Sequence, residues 1–228
     1  MHLFRLDTSI RPDGSVSREL ADVAESEWRA EHPDGMVTRR DLGADPLPVT
    51  AWMDAVGAAS VAPEARTGPQ ASAAVLVAAL ADEVLAADAY LIATQLYNFG
   101  VPAHLKTWID LLIADPRLGP GAGQPLAGRP ALLVIARGGA YGPGTPREGW
   151  DHSTPWVSRI LADNFGLDLH LAEAEFTLAG VNPALDAFRE IGAESRRAAH
   201  EAATAHGRTL ARPRRLTLSA RGGTEAST

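Results

Sequence analysis

The sequence predicts a doubly wound α/β domain, a five-stranded parallel sheet with helices on both faces. Strand-length apolar runs alternate with segments of helical period five times along the chain. Two of those runs, residues 89–94 and 131–136, are continuously apolar, the pattern of strands buried on both faces. A chain of 228 residues, 46% hydrophobic and 21% charged, is long enough and ordinary enough in composition for one domain with a full core.

Each element has a local cause. Residues 2–6 are an apolar strand that stops at Asp7-Thr8-Ser9 and enters the turn formers Arg11-Pro12-Asp13-Gly14-Ser15. Leu20, Val23, Ala24 and Trp28 then recur at helical spacing, with Ser15 or Ser17 as N-cap. Residues 36–42 read as a second strand, followed by Pro46 and Pro48, which cannot continue a central ladder. Residues 50–68 show weak periodicity and read as a surface excursion of undefined structure. An Ala-, Val- and Leu-rich helix over residues 70–86 leads into the strand at 89–94. After Pro102, the residues Leu105, Trp108, Ile109 and Leu112 mark an amphipathic helix. The strand at 131–136 is closed by Arg137-Gly138-Gly139. Thr154 caps the next helix, with Pro155 in its first turn. A fifth strand spans 167–176, and a final helix runs from residue 183 to about 205. These bounds give a single domain over residues 1–206 and a flexible arginine-rich tail over residues 207–228, which holds Arg208, Arg212, Arg214 and Arg215.

Composition removes several classes of function. A net charge of -7 argues against a nucleic-acid-binding body, which needs a basic face. With no cysteine, disulfides, thiolate catalysis and cysteine-based metal sites are excluded, so redox chemistry must come from a bound cofactor. His170, His200 and His206 lack metal-ligand spacing, and no metal is expected. No stretch reads as the 18 to 20 apolar residues that span a bilayer, and Met1-His2-Leu3-Phe4-Arg5 lacks the architecture of a signal peptide. A cytoplasmic protein without a membrane partner is the expectation.

In a doubly wound sheet, ligands sit outside the carboxyl ends of the strands where strand order reverses, which directs attention to the loops after strands one, three and four. The first loop offers the hydroxyls of Ser9, Ser15 and Ser17 with free N–H groups at a helix start, including that of Val16. Such a loop binds phosphate without a lysine, unless its serines only cap the helix. The second, Gln95-Leu96-Tyr97-Asn98-Phe99-Gly100, puts aromatic rings where they can receive a planar heterocycle or pack on the next helix. The third is Ala136-Arg137-Gly138-Gly139.

These segments together resemble the FMN-dependent NADH:quinone oxidoreductase and azoreductase family, a group of flavodoxin-like NAD(P)H oxidoreductases. The likeness lies in Leu96-Tyr97-Asn98-Phe99 followed by Leu105-Lys106 and Asp110, in Arg137-Gly138-Gly139, and in Arg39-Arg40-Asp41-Leu42 with Pro46-Leu47-Pro48-Val49. It spans residues 3 to 190. The resemblance implies that Ser9, Ser15, Val16 and Ser17 hold the ribityl phosphate of FMN. It implies that Leu96, Tyr97, Asn98 and Phe99 line the isoalloxazine, with Ala136, Arg137, Gly138 and Gly139 at its pyrimidine side. It also implies a homodimer with a shared active site, NADH or NADPH as electron donor, and ping-pong transfer of two electrons to a quinone, azo or related conjugated acceptor.

The sequence departs from the family at three places. Ala136 stands for the usual Ser, and Gln95 for the usual Pro. Residues 116–130 lack the family's aromatic Thr-Phe and Tyr-Thr-Glu stretch, which leaves the substrate face open. The following segment supplies candidates for a replacement wall: Tyr141 at the flavin edge, with Trp150 and His152 toward the substrate. His152 would serve as proton donor, unless it is a surface residue near a helix cap. Two further readings compete with the general reductase: a biosynthetic flavoenzyme with one particular substrate, and a flavodoxin-like electron carrier.

Overall fold

The computed structural model describes residues 1–212. Strands β1 (His2–Asp7), β2 (Met36–Asp41), β3 (Ala89–Gln95), β4 (Pro130–Ala136) and β5 (Asp168–Ala174) form one parallel sheet in the order β2-β1-β3-β4-β5. This is the predicted doubly wound arrangement, with the reversal of strand order between β1 and β3. The fifth strand is shorter than expected, because Phe176 turns into the left-handed region at φ 52° and cannot extend the ladder.

Successive residues of the central strands alternate between two cores. Leu3, Leu91, Leu132 and Val134 pack under α1 (Val16–Glu31) and α6 (Arg189–Leu210), against Leu20, Trp28 and Leu210. Phe4, Leu6, Tyr90, Ile92 and Ile135 pack under α2 (Ala51–Ala59), α3 (Gly68–Ala86), α4 (Ala103–Ala114) and α5 (Thr154–Ser158). Phe4 stacks on Trp108 of α4 with centroids 5.9 Å apart. With both faces covered, the sheet exposes its ends.

Several local expectations need correction. Residues 50–68 are structured: α2 and a short 3₁₀ turn, Pro63–Ala65, occupy them. The helix escaped notice because its buried stripe is alanine, at Ala51, Ala55 and Ala58, while Trp52, Met53 and Val56 face outward. Helix α3 starts earlier than expected, since Thr67 and Gln70 close a capping box around Gly68 and Pro69. It is also long and apolar enough to cross a membrane, contrary to the expectation that no such stretch exists. Here Ala73, Val77, Leu80, Ala81 and Val84 bury one of its stripes against the domain. Thr154 lies in the first turn of α5 and does not cap it. The N-cap is Ser153, and the side chain that serves the helix start is Asp151, whose Oδ1 accepts the N–H groups of Ser153 and Thr154 at 2.9 and 2.8 Å.

The domain also extends past residue 206. Helix α6, preceded by a 3₁₀ segment Pro183–Phe188, continues to Leu210, which is fully buried. Gly207 is needed for this packing, since a Cβ there would stand 2.6 Å from the Ala24 carbonyl of α1. Arg208, expected in the tail, pairs with Glu27 of α1 at 2.7 Å. Arg212 is described, its N–H donating to the Thr209 carbonyl at 3.1 Å, whereas residues 213–228 of the expected tail, Arg214 and Arg215 among them, lie outside the described residues. His170 and His206 stack at 4.6 Å between β5 and α6.

Beneath the first loop, a buried ion network joins β1, β2 and α1. The guanidinium of Arg5 contacts Asp7, Asp22 and Glu25 at 2.7 to 3.0 Å, and Glu25 also accepts from Arg29 and Arg39. Arg18 holds both oxygens of Asp41 at 2.7 Å and donates to the Ser9 carbonyl at 2.7 Å. Burial opposes ionisation of Glu25, but hydrogen bonds from Arg39, Arg29 and Arg5 outweigh it and hold the carboxyl below its usual range. Asp41 is held low chiefly by Arg18. Lowered folded-state values mean that these carboxylates stabilise the fold above their unfolded values near pH ~4, and that this contribution is lost as pH falls through the folded ones. Thermal melting should therefore be flat from neutrality to about pH 5 and fall steeply below about pH 4. Glu25→Gln should cost about 3 kcal/mol at neutral pH and flatten the acid slope, as checked by denaturant melts across pH.

Candidate active site

Three loops meet at the carboxyl ends of β1, β3 and β4, and a fourth, after β5, closes the ring. Loop one follows β1 and delivers the chain to the N-terminus of α1. Ser15 caps that helix, its Oγ accepting the Arg18 N–H at 3.5 Å and lying 3.3 Å from the Ser17 Oγ. The N–H groups of Val16 and Ser17, in the first turn, have no carbonyl partner within the helix and add to the positive end of its dipole. Gly14 turns at φ 66° beside them, and a Cβ there would meet nothing, so the approach is open.

Loop one is anchored to β3. The Gln95 amide donates to the Thr8 carbonyl at 2.9 Å, and Thr8 donates to the Thr94 hydroxyl at 2.9 Å. A proline at position 95 could not make the first of these bonds. The Tyr97 hydroxyl accepts the Ile10 N–H at 3.3 Å. Asn98 and Phe99 are the centre of a tight turn in which Tyr97 and Gly100 bridge, with φ 48° and 68°. Asn tolerates this region but Phe pays roughly 1–3 kcal/mol to occupy it, a strain held by its surroundings. The Phe99 ring meets the edges of Tyr141 at 6.2 Å and Trp150 at 5.2 Å, and its carbonyl accepts the His152 N–H at 3.0 Å.

The result is a cleft of about 740 Å³. Ser9, Ser15, Val16 and Ser17 line it, as do Leu96, Tyr97, Asn98 and Phe99, with Ala136, Gly138 and Gly139. Tyr141 also reaches it; Trp150 and His152 do not. Trp150 backs Phe99 from outside, and His152, exposed, contributes its backbone to the loop. Residues 116–130 join α4 to the amino end of β4, away from the cleft, and bury Leu118 and Leu126 in the core. Their lack of aromatic residues therefore leaves this chain's own cleft unchanged.

Arg137 is brought to the site but turned away from it. Its guanidinium lies in the fold behind the cleft, where it meets Asp151 and the Thr154 hydroxyl at 2.8 Å, Glu173 at 2.5 Å and Glu175 at 3.5 Å. Glu175 in turn accepts the Tyr141 N–H at 3.3 Å, and the Arg137 carbonyl accepts the N–H and hydroxyl of Thr177, both at 3.0 Å. This residue thus ties β4, the segment before α5 and the end of β5 into one wall. Burial works against the charge on Asp151, yet bonds from Thr154, with Arg137 and the Ser153 N–H, keep its carboxyl below the usual range. The two glycines have different causes. A Cβ on Gly138 would stand 2.7 Å from the Leu178 side chain, whereas one on Gly139 would find only the Tyr141 hydroxyl, at 4.0 Å.

Sequence reasoning missed the wall after β5, formed by Phe176, Thr177, Leu178 and Leu185, with Phe176 stacked on Phe188 at 4.9 Å. The strand-end rule applied to the fifth strand would have found it. It also missed Arg11 and Arg147, which line the cleft and carry no motif.

A cleft at the switch point of a doubly wound sheet, with a helix N-terminus at one end and aromatic rings at the other, defines a flavodoxin-like ligand-binding protein. Residues 1–208 match the model of the flavodoxin-like fold family. The FMN-dependent NADH:quinone oxidoreductase of Frankia casuarinae is 41% identical over 204 residues, covering 89% of this chain and 96% of that protein. That of Kineococcus radiotolerans is 41% identical over 209 residues, covering 92% and 99%. The fold is also that of an azoreductase from Bacillus anthracis, with a TM-score of 0.75 at 22% identity, covering 92% of this chain and 99% of that one. The chain belongs to the flavodoxin-like fold family and, within it, to the FMN-dependent NADH:quinone oxidoreductases.

Removing the Arg137 clamp should loosen the wall. Arg137→Met is expected to cost about 3 kcal/mol, because three carboxylates lose their shared partner. Limited proteolysis should then cut within residues 139–152 well before the remainder of the chain.

Proposed function

We propose that this protein is an FMN-dependent NAD(P)H oxidoreductase that passes two electrons to a quinone, azo or related conjugated acceptor. The observation that carries this reading is the meeting, in one cleft, of the α1 N-terminus with Ser9, Ser15 and Ser17 and of the aromatic turn at Tyr97, Asn98 and Phe99. The donor set suits FMN: unpaired N–H groups and hydroxyls for a phosphate, and flat apolar surface with backbone polar groups for a ring system. When bound, FMN supplies the two-electron redox centre, with NADH or NADPH as its source of electrons.

The chain's own residues position and select. Val16 and Ser17 present N–H groups to the phosphate, and Ser9, whose Oγ accepts the Arg11 N–H at 3.2 Å, keeps its hydroxyl proton free to donate. Leu96, Tyr97 and Asn98 line the ring on one side, with Ala136, Gly138 and Gly139 at its pyrimidine end. Arg137 acts from behind, as a positioning residue. Tyr141 and the wall after β5 shield the acceptor side from water. The biosynthetic reading drew on residues 116–130, which do not line this chain's own cleft.

The protein acts as a homodimer with a site shared between subunits, in the cytoplasm and without membrane attachment. The outward row of Val49, Trp52, Met53 and Val56 on and before α2 supports pairing, since large apolar side chains in one patch mark an interface. A fold without cysteine needs no oxidising compartment.

Purified protein should quench FMN fluorescence on binding and turn yellow, and anaerobic NADH or NADPH should bleach it. Menadione or an azo dye should restore the colour. A protein that stays colourless and does not bind added FMN defeats the proposal. Combining Ser9→Ala with Ser17→Ala should weaken FMN binding about tenfold, the loss of roughly 1.4 kcal/mol in hydrogen bonding to a charged group. In sedimentation runs the wild type should behave as a dimer, and Met53→Glu should shift it toward monomer.

A further inference from the structure

We infer that Arg147 forms a subsite for an anionic group, a sulfonate or carboxylate, carried by an aromatic acceptor. The inference rests on the function proposed above and adds a residue of this chain that selects among acceptors. It starts from a contrast of charge. The chain carries a net charge of -7, yet the residues lining the cleft include two arginines, Arg11 and Arg147, and no carboxylate. A cleft of one sign within a protein of the other concentrates anions.

The two arginines belong to different loops. Arg11 follows Ser9 and precedes α1, beside the donors suited to a phosphate. Arg147 belongs to the loop after β4, two strands away from β1 in the sheet and so separated at strand level by ~10 Å. One cation thus lies on the loop proposed for the phosphate, and the other on a loop two strands away.

Arg147 is held in place without being neutralised. Its guanidinium carbon lies 5.1 Å from the centre of the Phe99 ring, in a cation–π contact. Phe99 is itself fixed by its strained turn and by the edges of Tyr141 and Trp150. Among the described residues Arg147 makes no ion pair, whereas Arg137, ten positions earlier, contacts three carboxylates. The adjacent carboxylate, Glu148, folds back to accept the Gly144 N–H at 2.9 Å. A guanidinium held over a ring without a carboxylate partner keeps N–H groups available, and its fork matches two oxygens of a sulfonate or carboxylate. The surroundings, Phe99, Tyr141 and Pro146, suit an arene bearing that acid more than a second phosphate.

The test uses the FMN-loaded protein with anthraquinone-2-sulfonate, 1,4-naphthoquinone-2-sulfonate and uncharged menadione. Binding of anthraquinone-2-sulfonate to the oxidised protein is followed by difference absorbance, and kcat/KM is measured for the two naphthoquinones. Arg147→Gln should weaken sulfonate binding about tenfold and lower the sulfonate-to-menadione ratio of kcat/KM by a similar factor. Arg147→Lys should recover part of both, and added salt should weaken only sulfonate binding. An unchanged dissociation constant and ratio in Arg147→Gln overturn the inference. So does slower reduction by NADPH but not NADH with sulfonate binding intact, which would assign the residue to a donor phosphate. A protein that binds FMN but is not bleached by either nicotinamide would defeat the proposed activity, while the dissociation constants would still decide the subsite.

Discussion

The constraint on which this structure depends is that its parallel sheet is buried on both faces. Leu3 and Phe4, adjacent in β1, enter different cores, and the same alternation runs through β3 and β4. Side chains on the central strands are thus committed to packing, and polar chemistry is pushed to the strand ends. At the carboxyl ends the chain leaves β1 toward one helix and β3 toward another, so the loops diverge and a cleft opens between them. Every feature of the candidate site, from the free N–H groups of α1 to the aromatic turn, follows from that placement.

Two arginine-centred networks then make the loops stiff enough to present a surface. Under loop one, Arg5 and Arg18 connect β1, β2 and α1, and Arg18 also holds the Ser9 carbonyl. Behind the third loop, Arg137 binds Asp151, Glu173 and Glu175 together. Each places a charge in the fold and matches it with several carboxylates, an arrangement costly to break and weak as a source of net stability. Their value here is positional. They fix where the cleft walls stand, and Phe99 can sustain its left-handed backbone only because Tyr141, Trp150 and the His152 N–H hold it.

The same economy explains why motif residues and cleft residues overlap imperfectly. Arg137 belongs to the segment that carried the resemblance in the sequence, yet it works behind the wall. Arg147 belongs to no motif and lines the cleft. Gly138 is small because Leu178 needs its space, and Gly139 because the cleft does. One short segment therefore mixes residues that line the cleft with residues that hold those in place.

The fold class, the order of the elements and the family could be read from the sequence, because continuous apolar runs and helical periodicity record which faces are buried. That Ser9, Ser15, Val16, Ser17, Leu96, Tyr97, Asn98 and Phe99 meet around one cleft was legible for a similar reason: strand-end loops are defined by position along the chain. Helix α2 was not legible, because alanines form its buried stripe and the large apolar residues face outward, against the usual pattern. The end of α6 was missed at Gly207, a residue that usually stops helices but here makes room for the Ala24 carbonyl. Side-chain direction was decided only in three dimensions. Whether Arg137 faces ligand or fold depends on Asp151, Glu173 and Glu175, which come from other segments. Likewise the Phe176 wall and Arg147 enter the site through contacts that no local pattern records.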